Sequence, residues 1–180
     1  MTVTTTAARV MLAIDLAQKY SSLYFGIGQA SAWGSNDTPP AEDENSNSIA
    51  NPIAFFRASF ATLCRPLQQN EAVPTDAIQW GGNTYVRVTV GNAYAQEATY
   101  IYVEGALTKS GVSTSNVTYR TTGVYVGIVP KAGVTKPVLL PSDIATQGTL
   151  LSYSNKIAQV LDDETSYKAG ALYHIARIEE

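Results

Sequence analysis

Apolar residues near the amino end recur every three or four positions. Val10, Ala13, Ile14, Ala17 and Tyr20 share one arc, with Asp15, Gln18 and Lys19 opposite, a pattern that predicts an amphipathic helix over about residues 5–20 with a threonine available as cap. An aromatic strand over 23–27 follows, and its glycines, Gly26 and Gly28, turn the chain sharply toward Trp33. Asn51 and Pro52 then resemble a helix start, a capping side chain before a proline whose missing N–H costs nothing in the first turn. Ile53, Phe56, Phe60, Leu63 and Cys64 fall on one face of this second predicted helix, which Pro66 stops.

After Pro74 the period changes to two. Val86, Val88 and Val90 alternate with Tyr85, Arg87 and Thr89, and Ile101 and Val103 alternate with Tyr100, Tyr102 and Glu104, as half-buried antiparallel strands require. Further strands are expected within 117–130, 148–154, 156–161 and 171–178, with Asp162, Asp163 and Glu164 forming a solvated turn between the last two. The expected fold is α+β: two N-terminal helices packed with a mainly antiparallel β-sheet or sandwich. A single domain over 1–180 is expected, interrupted by one exposed loop or arm at about 34–48, where "TPPAEDENSNS" is too polar to order itself. That arm is expected to be mobile in the isolated chain and ordered by a partner.

Composition sharpens this picture. Hydrophobic residues make up 45% of the 180, but charged residues only 15%, well below the usual quarter. A surface so poor in charge suits a protein that lives against neighbours. The net charge of -3 comes with bases scattered along the chain, which argues against nucleic acid as a partner, because a phosphate backbone calls for a basic stripe. Asp15 interrupts the apolar run after Arg9, so no signal peptide is expected. No run approaches the roughly eighteen apolar residues of a membrane-spanning helix, so no membrane insertion is expected.

Candidate chemistry is sparse. The run "GIGQAS" lacks the third glycine of a dinucleotide loop, since Ser31 stands there, and turn formers follow where a helix should receive the phosphate. Cys64 and His174 are the only cysteine and histidine. They could form a nucleophile–base pair in principle, but Cys64 sits among apolar neighbours and reads as a small buried hydrophobe. The acidic runs at 42–44 and 162–164 lack the alternating ligands and glycine of a calcium loop. No catalytic, cofactor or metal site is therefore expected. The 11 tyrosines, mostly on strands, point to contact surfaces instead.

The order of elements carries a resemblance. A helix, a strand ending "FGIG", a tryptophan after a short gap, a polar segment with "PP", then "VPTDAIQWGGNTYV" and the closing "GTLLSYSNKIAQVLDDETSYKAGALYHIARIEE" are together similar to the baseplate wedge proteins of contractile-tailed bacteriophages. The segment between Gly82 and Gly148 is short for that family, which marks a compact member. The resemblance implies a structural role: joining wedge subunits around the tail hub and holding them until attachment triggers sheath contraction. It implies other wedge proteins, or copies of the same chain, as partners, a place in the virion tail baseplate, and assembly in the host cytoplasm. Trp33, Pro39, Pro40, Tyr100 and Tyr102 are the candidate contact residues. Two other readings stay open, a neck or tail-completion protein of the virion and a carbohydrate-binding β module whose tyrosines stack on sugars.

Overall fold

The computed structural model describes residues 3–19, 22–164 and 166–176. Among them one α-helix, α1 (Thr6–Gln18), precedes twelve strands: β1 (Leu23–Gly28), β2 (Pro52–Arg57), β3 (Phe60–Pro66), β4 (Ile78–Trp80), β5 (Asn83–Val88) and β6 (Tyr100–Thr108), then β7 (Val117–Val126), β8 (Val129–Pro130), β9 (Val138–Leu139), β10 (Ile144–Thr146), β11 (Thr149–Leu161) and β12 (Ser166–His174). The α+β expectation with two N-terminal helices is thereby corrected to a mostly β architecture with one helix. Tyr20 and Ile178, assigned above to the first helix and the last strand, lie outside the described residues.

The segment predicted as a second helix is two strands. Asn51 has φ 37°, a left-handed conformation that a helix N-cap, with its extended backbone, does not adopt. Phe55 and Phe56 are each 1% exposed. Phe55 meets Tyr125 edge-on at 5.3 Å, whereas Phe56 stacks on Phe25 at 5.5 Å. Consecutive side chains are both buried because a strand sends them to opposite faces and both faces are covered. A short apolar run fits either a buried strand or a helix face, and periodicity alone does not separate the two. Here β-favouring Ile and Phe residues, with Ala58 and Ser59 as the break between β2 and β3, decide for strands.

The chain divides into two compact units, one of Met1–Tyr20, Phe60–Glu104 and Gly170–Glu180, the other of Ser21–Ser59 and Gly105–Ala169. In the first, the Thr5 hydroxyl caps α1 by accepting from the Ala8 N–H at 3.2 Å, and Val10 and Ala13 are its buried residues. β3 lies between β5 and the start of β6, antiparallel to both. Cys64, Ile78 and Tyr85 form a small core, with Tyr100, Tyr102 and Leu172 packed against it. Val86 and Val88 are buried, but β5 ends there: Val90 opens a 3-10 turn and is 49% exposed.

In the second unit the sheet order is β11-β7-β1-β2-β9, with β1 paired antiparallel to β2 and β7 and every β1 residue buried. Tyr24, Ile49, Phe55, Tyr125, Ile128 and Leu139 make its core. β11 is the long edge strand, and three of its residues, 156–158, bulge where β7 offers Arg120 alone, between the pairs Asn155↔Thr121 and Gln159↔Tyr119. Such bulges bend an edge and re-aim its side chains.

Candidate functional site

The long segment between β1 and β2 is a strap laid over β7 and β11. Its two ends clasp each other. The Gln29 N–H donates to the Asn51 carbonyl at 3.0 Å, and the Asn51 side-chain amide donates to Gln29 Oε1 at 2.6 Å. Both residues take left-handed φ values, 55° and 37°, which asparagine tolerates better than most and which only surrounding contacts hold in glutamine.

The glycines of "FGIG" seat the strap's returning end. Gly26 lies directly opposite Gly123 on β7, leaving a depression in the sheet that Ile49 fills: a Cβ added at Gly26 or Gly123 would come within 3.1 Å or 2.6 Å of the Ile49 side chain. Ile49 is 2% exposed, and its N–H donates to the Tyr125 hydroxyl at 2.8 Å. At Gly28 a Cβ would stand 2.3 Å from the Ala50 carbonyl oxygen. Only glycine lets the backbone cross so closely.

Farther out, Arg120 organises the strap. Its Nε and Nη2 donate to the two carboxylate oxygens of Asp37 at 2.7 and 2.9 Å, and Nη1 donates to the Ala30 carbonyl. The Arg120 side chain is 10% exposed and that of Asp37 35%. Asp37 also accepts the Trp33 N–H at 2.9 Å. These bonds, that from Arg120 first, hold the Asp37 carboxyl below its ordinary range. The Trp33 ring nitrogen donates to the Lys156 carbonyl at 2.8 Å, a group that the β11 bulge has turned from the ladder.

The crest is tied down along the outer edge of β11. The Asn155 N–H donates to Glu42 Oε1 at 2.8 Å and its side-chain amide to the Pro40 carbonyl at 3.0 Å; the Asn155 bond is the main cause that keeps the Glu42 carboxyl below its usual range. The Tyr153 hydroxyl meets the backbone of Asp43 and lies 3.2 Å from the Ser46 hydroxyl. The Gln147 amide donates to the Ser48 hydroxyl at 2.8 Å. Most residues over 34–48 are exposed, yet Trp33, Asp37 and Pro39 are half-buried. The composition predicts a segment without support of its own. What it does not reveal is support from strands more than 100 residues away, as between Asn155 and Pro40.

The candidate contact residues divide between the units. Trp33, Pro39 and Pro40 belong to the strap; Tyr100 and Tyr102 belong to the other unit. The half-buried Tyr100 ring lies flat on His174, 4.1 Å away and 5° from parallel, and tilts against Tyr85 at 5.3 Å. Tyr102 meets Trp80 edge-on at 5.9 Å. Both tyrosines therefore serve packing within their unit while keeping part of their surface exposed.

His174 is exposed, and burial against its neighbours, then the charge of Arg9, lowers its pKa. Cys64 is 0% exposed, and burial pushes its thiol up to about 12, so it stays protonated at neutral pH and is not a ready nucleophile. In the turn after β11, Asp163 accepts from the Lys109 ammonium at 2.6 Å. Arg120, Tyr125, Tyr153 and Asn155 were not singled out from the sequence. Arg120 alone carried a signal: a lone cation inside "VTYRTTGVYV", a strand otherwise without charge, needs a carboxylate if it is buried.

A strand-rich chain with a fixed surface strap and low charge has the features of a structural component. The comparison with known proteins defines the class: the chain belongs to the family described as baseplate wedge 3 tail fiber network component, which matches residues 1–175. It is also 27% identical over 159 residues to Virion protein 3 of Enterococcus phage phiEF24C, covering 88% of this chain and 87% of that protein. The resemblance to baseplate wedge proteins read from the order of elements is thus borne out. The chain is a phage virion component of the tail baseplate, and its family implies association with other baseplate proteins.

Proposed function

We propose that this protein joins wedge subunits around the tail hub and supports sheath contraction, after assembling in the host cytoplasm, with the strap as its principal contact. The observation that carries this reading is the strap's fixed geometry. Pro39 and Pro40 lie between the Asp37–Arg120 pair and the bonds of Pro40 and Glu42 to Asn155, so an exposed crest is held in one shape before any partner arrives. Preorganisation of this kind lowers the ordering cost of docking, and low surface charge over the rest of the chain removes a barrier to close packing against neighbours. Tyr100 and Tyr102 contribute their exposed edges to a second contact.

Complementation in phage tests it. Replacing Pro39 and Pro40 with alanine together with Glu44→Lys should leave the subunit folded, because these residues are half-buried or exposed, yet should deplete it from purified particles and yield tails without complete baseplates. Wild-type incorporation and normal contraction by that variant would remove the strap from the assembly.

A further inference from the structure

At the β9 edge of its sheet the second unit gathers positive charge. Val138 of β9 pairs with Phe56 of β2, and the next residue on each strand, Pro137 and Arg57, frames an open cavity of about 290 Å³ walled also by Pro130, Val134 and Lys136. The Arg57 guanidinium is fixed in place: Nε and Nη2 donate to the Tyr24 hydroxyl at 3.2 and 2.8 Å, and its carbon lies 5.4 Å from the centre of the Tyr24 ring. Neither contact neutralises it, and no carboxylate pairs with Arg57 among the described residues. Lys131 and Lys136 are exposed on the segment that walls the cavity. Asp143, 3.4 Å from the Lys136 ammonium, offsets one of these charges. Three cations against one carboxylate, set around apolar walls, suit an acidic protein segment.

The chain carries such a segment itself. Glu42, Asp43 and Glu44 are exposed on the strap's crest, which Asn155 ties to β11. The Glu44 carboxylate has no ion pair among the described residues, whereas in the other acidic run Asp163 is already engaged by Lys109 at 2.6 Å. The sheet order β11-β7-β1-β2-β9 puts crest and cavity on opposite edges, four strand spacings or roughly 20 Å apart. Tied where it is, the crest cannot reach the cavity of its own chain. It can reach that of a neighbour. The two patches differ, so the contact is head-to-tail, and a head-to-tail contact repeated about an axis closes into a ring when its rotation allows.

We propose that the acidic crest of one copy docks through Glu44 into the cavity that Arg57, Lys131 and Lys136 surround on the next copy. The inference rests on the strap's role as a contact and names its partner, a second copy of this chain. Sedimentation velocity of the full chain at rising concentration should show self-association that weakens with salt. Glu44→Lys, and separately Lys131→Glu with Lys136→Glu, change exposed side chains and should leave the fold intact, with melting temperature followed in each. Either change opposes like charges and should weaken association by about tenfold or more. Should the paired lysine variant melt early, Lys131→Glu alone reads the same contact. Mixed in equal amounts, the crest and cavity variants should associate again, because each crest then meets a cavity of opposite charge. A mixture as weak as its parts overturns the proposal, as does association indifferent to either variant. So does a chain that is monomeric at every concentration. In that case, loss of the Pro39, Pro40 and Glu44 variant from phage particles would leave the strap's role standing with a different protein on the crest, whereas its normal incorporation would remove both readings.

Discussion

Gly26 on β1 and Gly123 on β7 face each other across the ladder, and Ile49 of the strap occupies the hollow they leave. The two glycines are therefore a socket, which explains why an aromatic, fully buried strand contains residues that weaken strands. Gly123→Ala should destabilise the protein by about 1–3 kcal/mol, the usual cost of adding a methyl group to a filled site. The nearest atom is the Ile49 Cγ2 methyl, which valine retains, so Ile49→Val in the same chain should recover none of the loss. Thermal melting of the two single variants and the double variant checks this. Equal melting of Gly123→Ala and the parent would show that the socket is loose.

The bidentate bond between Arg120 and Asp37 makes the strap acid-sensitive. The Asp37 carboxyl titrates below its ordinary range when folded, so its contribution is present at neutral pH and is lost as pH falls through the depressed folded value. Trp33 lies on the same carboxylate and reports the change. In a Trp80→Phe background, which leaves Trp33 as the only indole, emission should shift on acidification below the usual carboxylate range. Asp37→Asn should show the shifted emission already at neutral pH. A titration identical in the two chains would detach Asp37 from the strap's hold.

Phe56 and Phe60 separate under mutation. Phe56 is 1% exposed, stacked on Phe25 and edge-on to Tyr167, so Phe56→Ala should cost about 3–5 kcal/mol. Phe60 is half-buried, with the Arg87 guanidinium 4.9 Å from its ring centre. Phe60→Ala loses less burial and a cation–π contact worth about 0.5–1 kcal/mol at such sites. Denaturant unfolding should rank the two variants in that order. Equal losses would show that Phe60 is packed as firmly as Phe56.

That contrast also shows what the sequence could tell. Alternation in "YIYVE" located Ile101 and Val103, both 0% exposed, because a strand buried on one face writes its pattern in period two. The run from Ile53 to Cys64 belongs to strands buried more completely, and burial on both faces erases the period that distinguishes strand from helix. The strap was legible as a polar segment with two prolines, and the order of elements around it was enough to place the family. Its anchors were not legible. Tyr153 and Asn155 look like ordinary strand residues until β11 is laid beside residues 40–46, and no local pattern encodes a contact across more than 100 positions.

The strap's root and crest should differ in stability, and two tyrosines test the difference. Tyr125 is 0% exposed and its hydroxyl accepts the buried Ile49 N–H. Tyr125→Phe leaves that donor without a partner away from water, at a cost of about 1–3 kcal/mol. Tyr153 works at the exposed crest, where water can replace its hydroxyl on Asp43 and Ser46. Tyr153→Phe should therefore leave melting almost unchanged while hydrogen exchange over residues 43–46 accelerates, since local opening there no longer breaks the crest's tether. Tyr125→Phe should lower the melting temperature and speed exchange at Ile49 as well. If exchange over 43–46 stays as slow in Tyr153→Phe as in the parent, the crest is held by Glu42, Pro40 and Asn155 alone, and the Asn155→Ala variant should then release it.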